Sequence, residues 1–151
     1  TSPPYFNMMR RGNKGIRRKK EWHEPRKYGE NERDLGNIAE YWAFMTELTR
    51  IIELCVNVLK ENGYFVMIVR DFRIGPIHHL FHSDVAKRMT KCGLVCKGIK
   101  ILCHDQLKLK PLGLGSTSFV SNEHHDHILI FRKDSEVSKK IPQLRLCGAP
   151  V

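Results

Sequence analysis

The chain has 151 residues, which suits one domain with a sizeable core, and its apolar content of 41% argues against wholesale disorder. No apolar run approaches the about 20 residues of a membrane span, and the N-terminus lacks a signal peptide's apolar stretch. We therefore expect a cytoplasmic protein with no membrane partner.

Twenty-six Lys and Arg against sixteen Asp and Glu give a formal charge of +10. This surplus favours a polyanionic partner, because neutralised phosphates release condensed counterions, but it does not separate DNA from RNA or an acidic protein.

The first segment of the chain, residues 1–7, is uncharged and contains two consecutive prolines. Pro3 and Pro4 lack amide hydrogens and have a fixed φ, so this segment cannot start a helix or pair fully as a central strand. The sequence predicts a loop here.

A strongly basic stretch without any acidic residue follows at residues 10–20. Such a block repels itself and resists folding alone, so one interpretation is a solvated surface loop. The other is a loop that becomes ordered on a phosphate backbone, and its position beside the prolines favours this second interpretation. The candidate nucleic-acid-binding residues are Arg10, Arg11, Lys14, Arg17, Arg18, Lys19 and Lys20.

Helical periodicity begins after this stretch. Apolar residues at alternating steps of four and three predict an amphipathic helix over residues 38–59. We expect Asn37 to cap its start, with Glu40 completing a capping box, and Asn62-Gly63 to stop it. The predicted buried face comprises Tyr41, Met45, Leu48, Ile52, Cys55 and Leu59.

The rest of the chain alternates between strands and helices. Residues 64–69 form an unbroken apolar run, which predicts a strand covered on both faces in a parallel sheet. The later elements are a helix over roughly 77–92, a strand over 94–103, a long loop over 108–118 and a strand over 127–131. This order predicts an α/β layered sheet, whose ligands lie beyond the carboxyl ends of the strands.

Ser2, Pro3, Pro4 and Tyr5 form a segment suited to chemistry on a base amino group. The amino nitrogen is a poor nucleophile because its lone pair is delocalised, and acceptors for both N–H bonds favour a tetrahedral nitrogen. The Ser2 hydroxyl and the Pro3 carbonyl are suitable acceptors, and Tyr5 offers a face on which an extruded base can stack. Direct displacement at a methyl sulfonium then requires proximity and no covalent intermediate.

The same residues resemble the catalytic motif of amino-group DNA methyltransferases, which use S-adenosylmethionine. The resemblance continues through Leu35-Gly36, residues 58–63 and the terminal strand at residues 126–133. It implies part of a Rossmann-like methyltransferase sheet flanked by helices, with its last strand antiparallel. It further implies a catalytic half at residues 1–133, with the basic loop at 8–33, and a tail or linker at 134–151.

Serine in the first position of the motif is similar to the cytosine N(4) branch of this family, typical of restriction–modification. Adenine N(6) methylation uses the same groups and stays open, as does a non-catalytic, basic nucleic-acid-binding remnant of this fold. Methylation of cytosine carbon is disfavoured, because it needs a cysteine nucleophile that typically follows proline, and no cysteine here does.

The Gly-rich loop with which the family binds its methyl donor is not evident in the sequence. Gly113-Leu114-Gly115 comes nearest but has no helix after it, so we do not assign it. The donor half is therefore expected on a missing segment or a second polypeptide, unless it is lost. Ser2 and Asp71 are the candidate cofactor-binding residues of this chain, although Asp71 could equally be a salt-bridge partner of Arg70 or Arg73.

Two further groups of residues could suggest a metal, but we assign none. The members of the run at residues 124–127 are consecutive at a strand entry, where neighbouring side chains point to opposite faces. We interpret His78, His79 and His82 as helix-surface residues. Structural zinc is a further possibility at Cys92, Cys96, Cys103 and His104. The spacing of these residues is loose for a zinc site, so we favour free thiols instead.

Overall fold

The computed structural model describes residues 1–4, 6, 31, 34–74, 77–105 and 124–140. Tyr5, the basic residues 10–20 and the Gly-x-Gly at 113–115 lie outside the described residues. The chain divides into two compact units, Pro3–Val58 and a second unit made of Thr1–Ser2 with Leu59–Val151. No helix of the described part is long and apolar enough to cross a membrane.

The first unit is built on one long helix, α1 (Tyr41–Val58), preceded by a short 3-10 helix (Leu35–Asn37). The predicted amphipathic pattern is confirmed at Tyr41, Met45, Leu48 and Ile52, whereas Cys55 is half-buried and Leu59 follows the end of the helix. Phe6 is 3% exposed and packs edge-on against Tyr41 and Phe44, with ring centroids 5.6 and 5.4 Å away. The buried residues of α1 are Tyr41, Phe44, Met45, Leu48, Ile52 and Val56.

The predicted cap of α1 is wrong. Asn37 ends the 3-10 helix, whose own cap is the Asp34 carboxylate, which accepts from the Gly36 amide at 2.9 Å. Glu40 instead caps α1 with its side chain, accepting from the amides of Trp42, at 2.8 Å, and Ala43. These bonds satisfy amides of the first turn, which have no partner inside the helix.

The second unit contains a three-stranded sheet in the order β1-β5-β4, formed by β1 (Tyr64–Val69), β4 (Leu94–Cys103) and β5 (His125–Lys133). β5 runs antiparallel to both neighbours, as predicted for the last strand. The helix α2 (Phe81–Lys91) contributes Phe81, Val85 and Met89 to the core. A short helix, α3 (Ser135–Lys140), follows β5.

A hairpin of β2 (Phe72–Ile74) and β3 (Ile77–His79) lies between β1 and α2, where the sequence predicted that a helix begins at residue 77. Both strands are three residues long, too short for their alternation to stand out in the sequence. β1 also differs from its prediction as a strand covered on both faces in a parallel sheet, because β5 pairs antiparallel with it and one of its faces is partly exposed. Met67 and Val69 are buried, whereas Tyr64 and Val66 are 59% and 38% exposed.

The turn before β1 fixes where the strand begins. Asn62 has a left-handed backbone with φ of 63°, and the amide of Gly63 donates to the Lys60 carbonyl at 2.9 Å. A Cβ on Gly63 would lie 2.8 Å from that carbonyl oxygen. The predicted stop at Asn62-Gly63 therefore acts as a tight turn into the sheet, while α1 itself ends at Val58.

Candidate functional site at the carboxyl end of β1

Thr1, the residue before the candidate catalytic segment, lies alongside β1. The Thr1 amino group donates to the Val66 carbonyl and the Ile68 amide donates to the Thr1 carbonyl, both at 2.9 Å. Thr1 thus forms hydrogen bonds with both sequence neighbours of Met67, which is the pattern of a parallel β-bridge between Thr1 and Met67. Successive residues of β1 direct their N–H and C=O groups to opposite edges of the strand. Val66 and Ile68 direct theirs away from β5, so Thr1 pairs with the other edge of β1. Running parallel to β1, the chain reaches exposed Ser2 close to the carboxyl end of that strand.

The remainder of the tetrapeptide is described only in part. Pro3 is buried and Pro4 is half-buried, and both belong to the helical unit, while Ser2 belongs to the sheet unit. Tyr5 lies outside the described residues, as do the seven basic side chains of residues 10–20. Their predicted roles stay predictions.

The alternation of side chains along a strand sorts the polar groups near this end of the sheet onto its two faces. In register, His127 lies opposite Val69, and the chain continues from Val69 to Arg70 and Asp71. Asp71 and His127 consequently share one face, and Arg70 and Asp126 share the other. Each face holds its own polar cluster.

Asp71 caps α2 across eleven residues of sequence. It is 7% exposed, and its Oδ1 accepts a hydrogen bond from the His82 amide at 2.9 Å in the first turn of α2. The His82 Nδ1 also lies 2.8 and 2.7 Å from the two carboxylate oxygens. A carboxylate at a helix N-terminus stabilises the amide groups there. The hydrogen bonds of Asp71 thus go to His82 rather than to Arg70, and its role in cofactor binding stays a prediction.

The predicted surface histidines of the second helix are placed differently. His78 and His79 lie on β3, and the His79 ring stacks on Phe72 with centroids 5.6 Å apart. The His82 side chain is 24% exposed and faces Asp71. The reason is that α2 begins four residues later than predicted, at Phe81, which places His82 in the first turn.

Asp126 joins three segments on the other face. It is 6% exposed and accepts from Arg70 Nε, just after β1, while its second oxygen lies 2.7 Å from His104 Nε2, just after β4. Burial alone would raise the pKa of Asp126, but the hydrogen bonds and charges of Arg70 and His104 outweigh it and lower that pKa. The salt-bridge partner of Arg70 is therefore Asp126.

His127 stacks on His82, with ring centroids 3.9 Å apart and planes inclined by 13°. The His125 ring meets His127 edge-on at 4.9 Å. Burial lowers the pKa of His127, and the neighbouring His82 lowers it further, so the neutral imidazole is favoured. The Nδ1 of His127 is buried and has no hydrogen-bond partner among the described residues.

Within the described part of the chain, none of the three cysteines considered for zinc is in a disulfide bond. Cys92 is half-buried, and Cys96 and Cys103 are exposed on β4. His104, the histidine considered with them, contacts Asp126 instead.

Comparison with known proteins identifies the fold. No family profile matches the chain, and no curated protein shows significant sequence similarity. Three crystal structures of one protein from Thermus thermophilus, named as a DNA modification methylase, are similar to it. The selenomethionine form is 23% identical with a TM-score of 0.53 over 65% of this chain, and the native form is 25% identical with a TM-score of 0.51 over 68%. The complex with S-adenosyl-L-methionine is 21% identical with a TM-score of 0.51 over 62%.

The chain has the mixed α/β fold of part of that methylase. It spans about two fifths of the methylase's length, at 40%, 38% and 41% in the three structures. The antiparallel β5 agrees with the sequence prediction for the last strand, and the structure adds its position between β1 and β4.

Proposed function

We propose that this chain is the catalytic half of an S-adenosylmethionine-dependent DNA methyltransferase that methylates an exocyclic amino group of a flipped-out base. The observation that carries the proposal is the parallel bridge of Thr1 to β1, which leads Ser2 to the carboxyl end of a strand in a methyltransferase fold. Ligands of open α/β sheets bind at this end of the strands.

The groups available there suit the chemistry of an amino nitrogen. The Ser2 side chain is exposed, so its hydroxyl is free to meet a substrate, and two successive prolines hold the Pro3 carbonyl in a fixed direction. Accepting both amino hydrogens would free the nitrogen lone pair for attack on the methyl carbon. Tyr5 would stack on the extruded base, a contact worth about 1–3 kcal/mol in single-stranded recognition.

DNA is the proposed partner, on the basis of the charge and the fold. The formal charge of +10 and the basic residues 10–20 support binding to a phosphate backbone, which Arg10, Arg11, Lys14, Arg17, Arg18, Lys19 and Lys20 would provide. The structural neighbour is named as a DNA modification methylase, which supports the same partner.

S-adenosylmethionine is the proposed cofactor, since a structure of the neighbour is a complex with it. Ser2 and the buried Asp71 are the residues of this chain proposed to border the cofactor. Because the chain spans about two fifths of that neighbour, we propose that further polypeptide, on the same or another chain, provides the rest of the cofactor site.

Cytosine N(4) is the proposed target, in a restriction–modification context, on the strength of the serine that opens the motif. The test is nucleoside mass spectrometry of DNA incubated with S-adenosylmethionine and the product of the natural reading frame that encodes this chain. We expect N(4)-methylcytosine. N(6)-methyladenine would overturn the choice of base and keep the mechanism. No methylated nucleoside from a folded protein that binds DNA would overturn the enzyme and favour a non-catalytic remnant.

A further inference from the structure

Three side chains from three separate elements converge on one face of the sheet. Asp71 follows β1, His82 lies in the first turn of α2 and His127 lies on β5. One potential ligand atom from each lies within 4.8 Å of the other two. The three residues are far apart in the sequence, so no local motif reveals them.

The chemistry of these donors is that of a transition-metal site. Two imidazoles and one carboxylate match the donor types of zinc sites and suit zinc, cobalt and nickel better than magnesium or calcium, which prefer oxygen ligands. Asp71 is 7% exposed and both histidines are half-buried, so the three donors are largely shielded from solvent.

The histidines are poised to act as ligands. The Nδ1 of His127 is buried without a hydrogen-bond partner among the described residues, a state that usually costs free energy. Asp71 already lies 2.7 Å from His82 Nδ1, and an ion would take the place of the proton between them.

We propose that Asp71, His82 and His127 form a binding site for one divalent transition-metal ion of the zinc type. Ligand atoms at the bond lengths of tetrahedral zinc lie about 3.4 Å apart, so side-chain rotations that move these atoms by about 1 Å close the site. The stacked rings must tilt towards each other in doing so. Three protein ligands leave a fourth position for water or another ligand.

Cobalt(II) is the probe that tests the site, because its visible absorption reports both geometry and ligand type. The 151-residue chain, stripped with a chelator, is titrated with cobalt(II), and zinc(II) is then added in competition. We expect one equivalent to bind with the visible bands of a tetrahedral nitrogen and oxygen site, and zinc to displace it. A sulfur-to-cobalt charge-transfer band would instead assign binding to cysteine thiols and overturn the proposal.

Matched variants separate this site from any other. His127→Gln and His82→Gln should each weaken cobalt binding by about 100-fold or more, as expected for the loss of a ligand. His104→Gln removes a partly buried histidine on the opposite face and should bind as the wild type does. Circular dichroism checks that each variant is folded, and two ligand variants guard against a failure of one to fold. Absence of stoichiometric binding, or equal affinity in both folded ligand variants and the wild type, would overturn the proposal.

Discussion

Asp126→Asn should weaken the sheet, because Asp126 is the buried carboxylate that joins Arg70 and His104. The substitution keeps the side-chain shape and removes the charge that both partners contact. A hydrogen bond to a charged group contributes about 1.5–3 kcal/mol, but the side chains of Arg70 and His104 are 35% and 33% exposed, and water compensates part of the loss. We expect the free energy of unfolding to fall by about 1–3 kcal/mol.

Urea denaturation followed by far-ultraviolet circular dichroism measures this change. With a urea dependence of about 1–3 kcal/mol per molar for a small protein, the midpoint should fall by about 1 M without a change in slope. Asp105→Asn is the control, because Asp105 is exposed near the same end of β4 and should change the free energy by less than about 0.5 kcal/mol. An Asp126→Asn midpoint equal to that of the control would refute the bridging role.

Three other substitutions test separate parts of the structure. Gly63→Ala should lower the free energy of unfolding by about 1–3 kcal/mol, because its Cβ meets a backbone carbonyl, and an unchanged urea midpoint would contradict the turn geometry. Leu129→Ala should cost about 2–5 kcal/mol in the same assay, whereas Ile99→Ala, at its 47% exposed register partner on β4, should cost far less; equal losses would contradict the difference in burial between the two positions. The Ser135 amide and hydroxyl both donate hydrogen bonds to the Glu61 carboxylate and lower its pKa. The contact therefore stabilises the fold above the pKa of an unfolded glutamate, about 4.3. This stabilisation is lost as the pH falls through the lower pKa of Glu61 in the folded protein. Ser135→Ala should raise the Glu61 pKa in a chemical-shift titration, and an unchanged value would contradict the contact.

Local periodicity predicted much of the fold. The spacing of Tyr41, Met45, Leu48 and Ile52 predicted α1, and all four are buried. The apolar runs at residues 64–69 and 94–103 predicted β1 and β4 at the bounds that the structure gives. These elements follow from nearest-neighbour patterns, which a sequence displays directly.

The polar contacts depend on register and could not be read in this way. Asp126 meets Arg70 and His104 only because β5 pairs between β1 and β4 with one particular alignment. Asp71 reaches His82 because α2 starts at Phe81, and an element boundary is the least certain feature of a sequence pattern. The alternation along β5 did carry a usable signal, since it separates Asp126 from His125 and His127.

We propose that the segment Ser2-Pro3-Pro4-Tyr5, of which Ser2 lies close to the carboxyl end of β1, directs methyl transfer to a base amino group. The most direct test supplies S-adenosylmethionine with a deuterated methyl group to the product of the natural reading frame and measures label in the nucleosides of DNA by mass spectrometry. We expect label on the cytosine amino group, and Tyr5→Ala should lower its rate of appearance by about tenfold or more. Tyr64→Ala, at a 59% exposed tyrosine of β1, is the control and should leave the rate unchanged. A Tyr5→Ala protein that transfers label as fast as this control would contradict the claim.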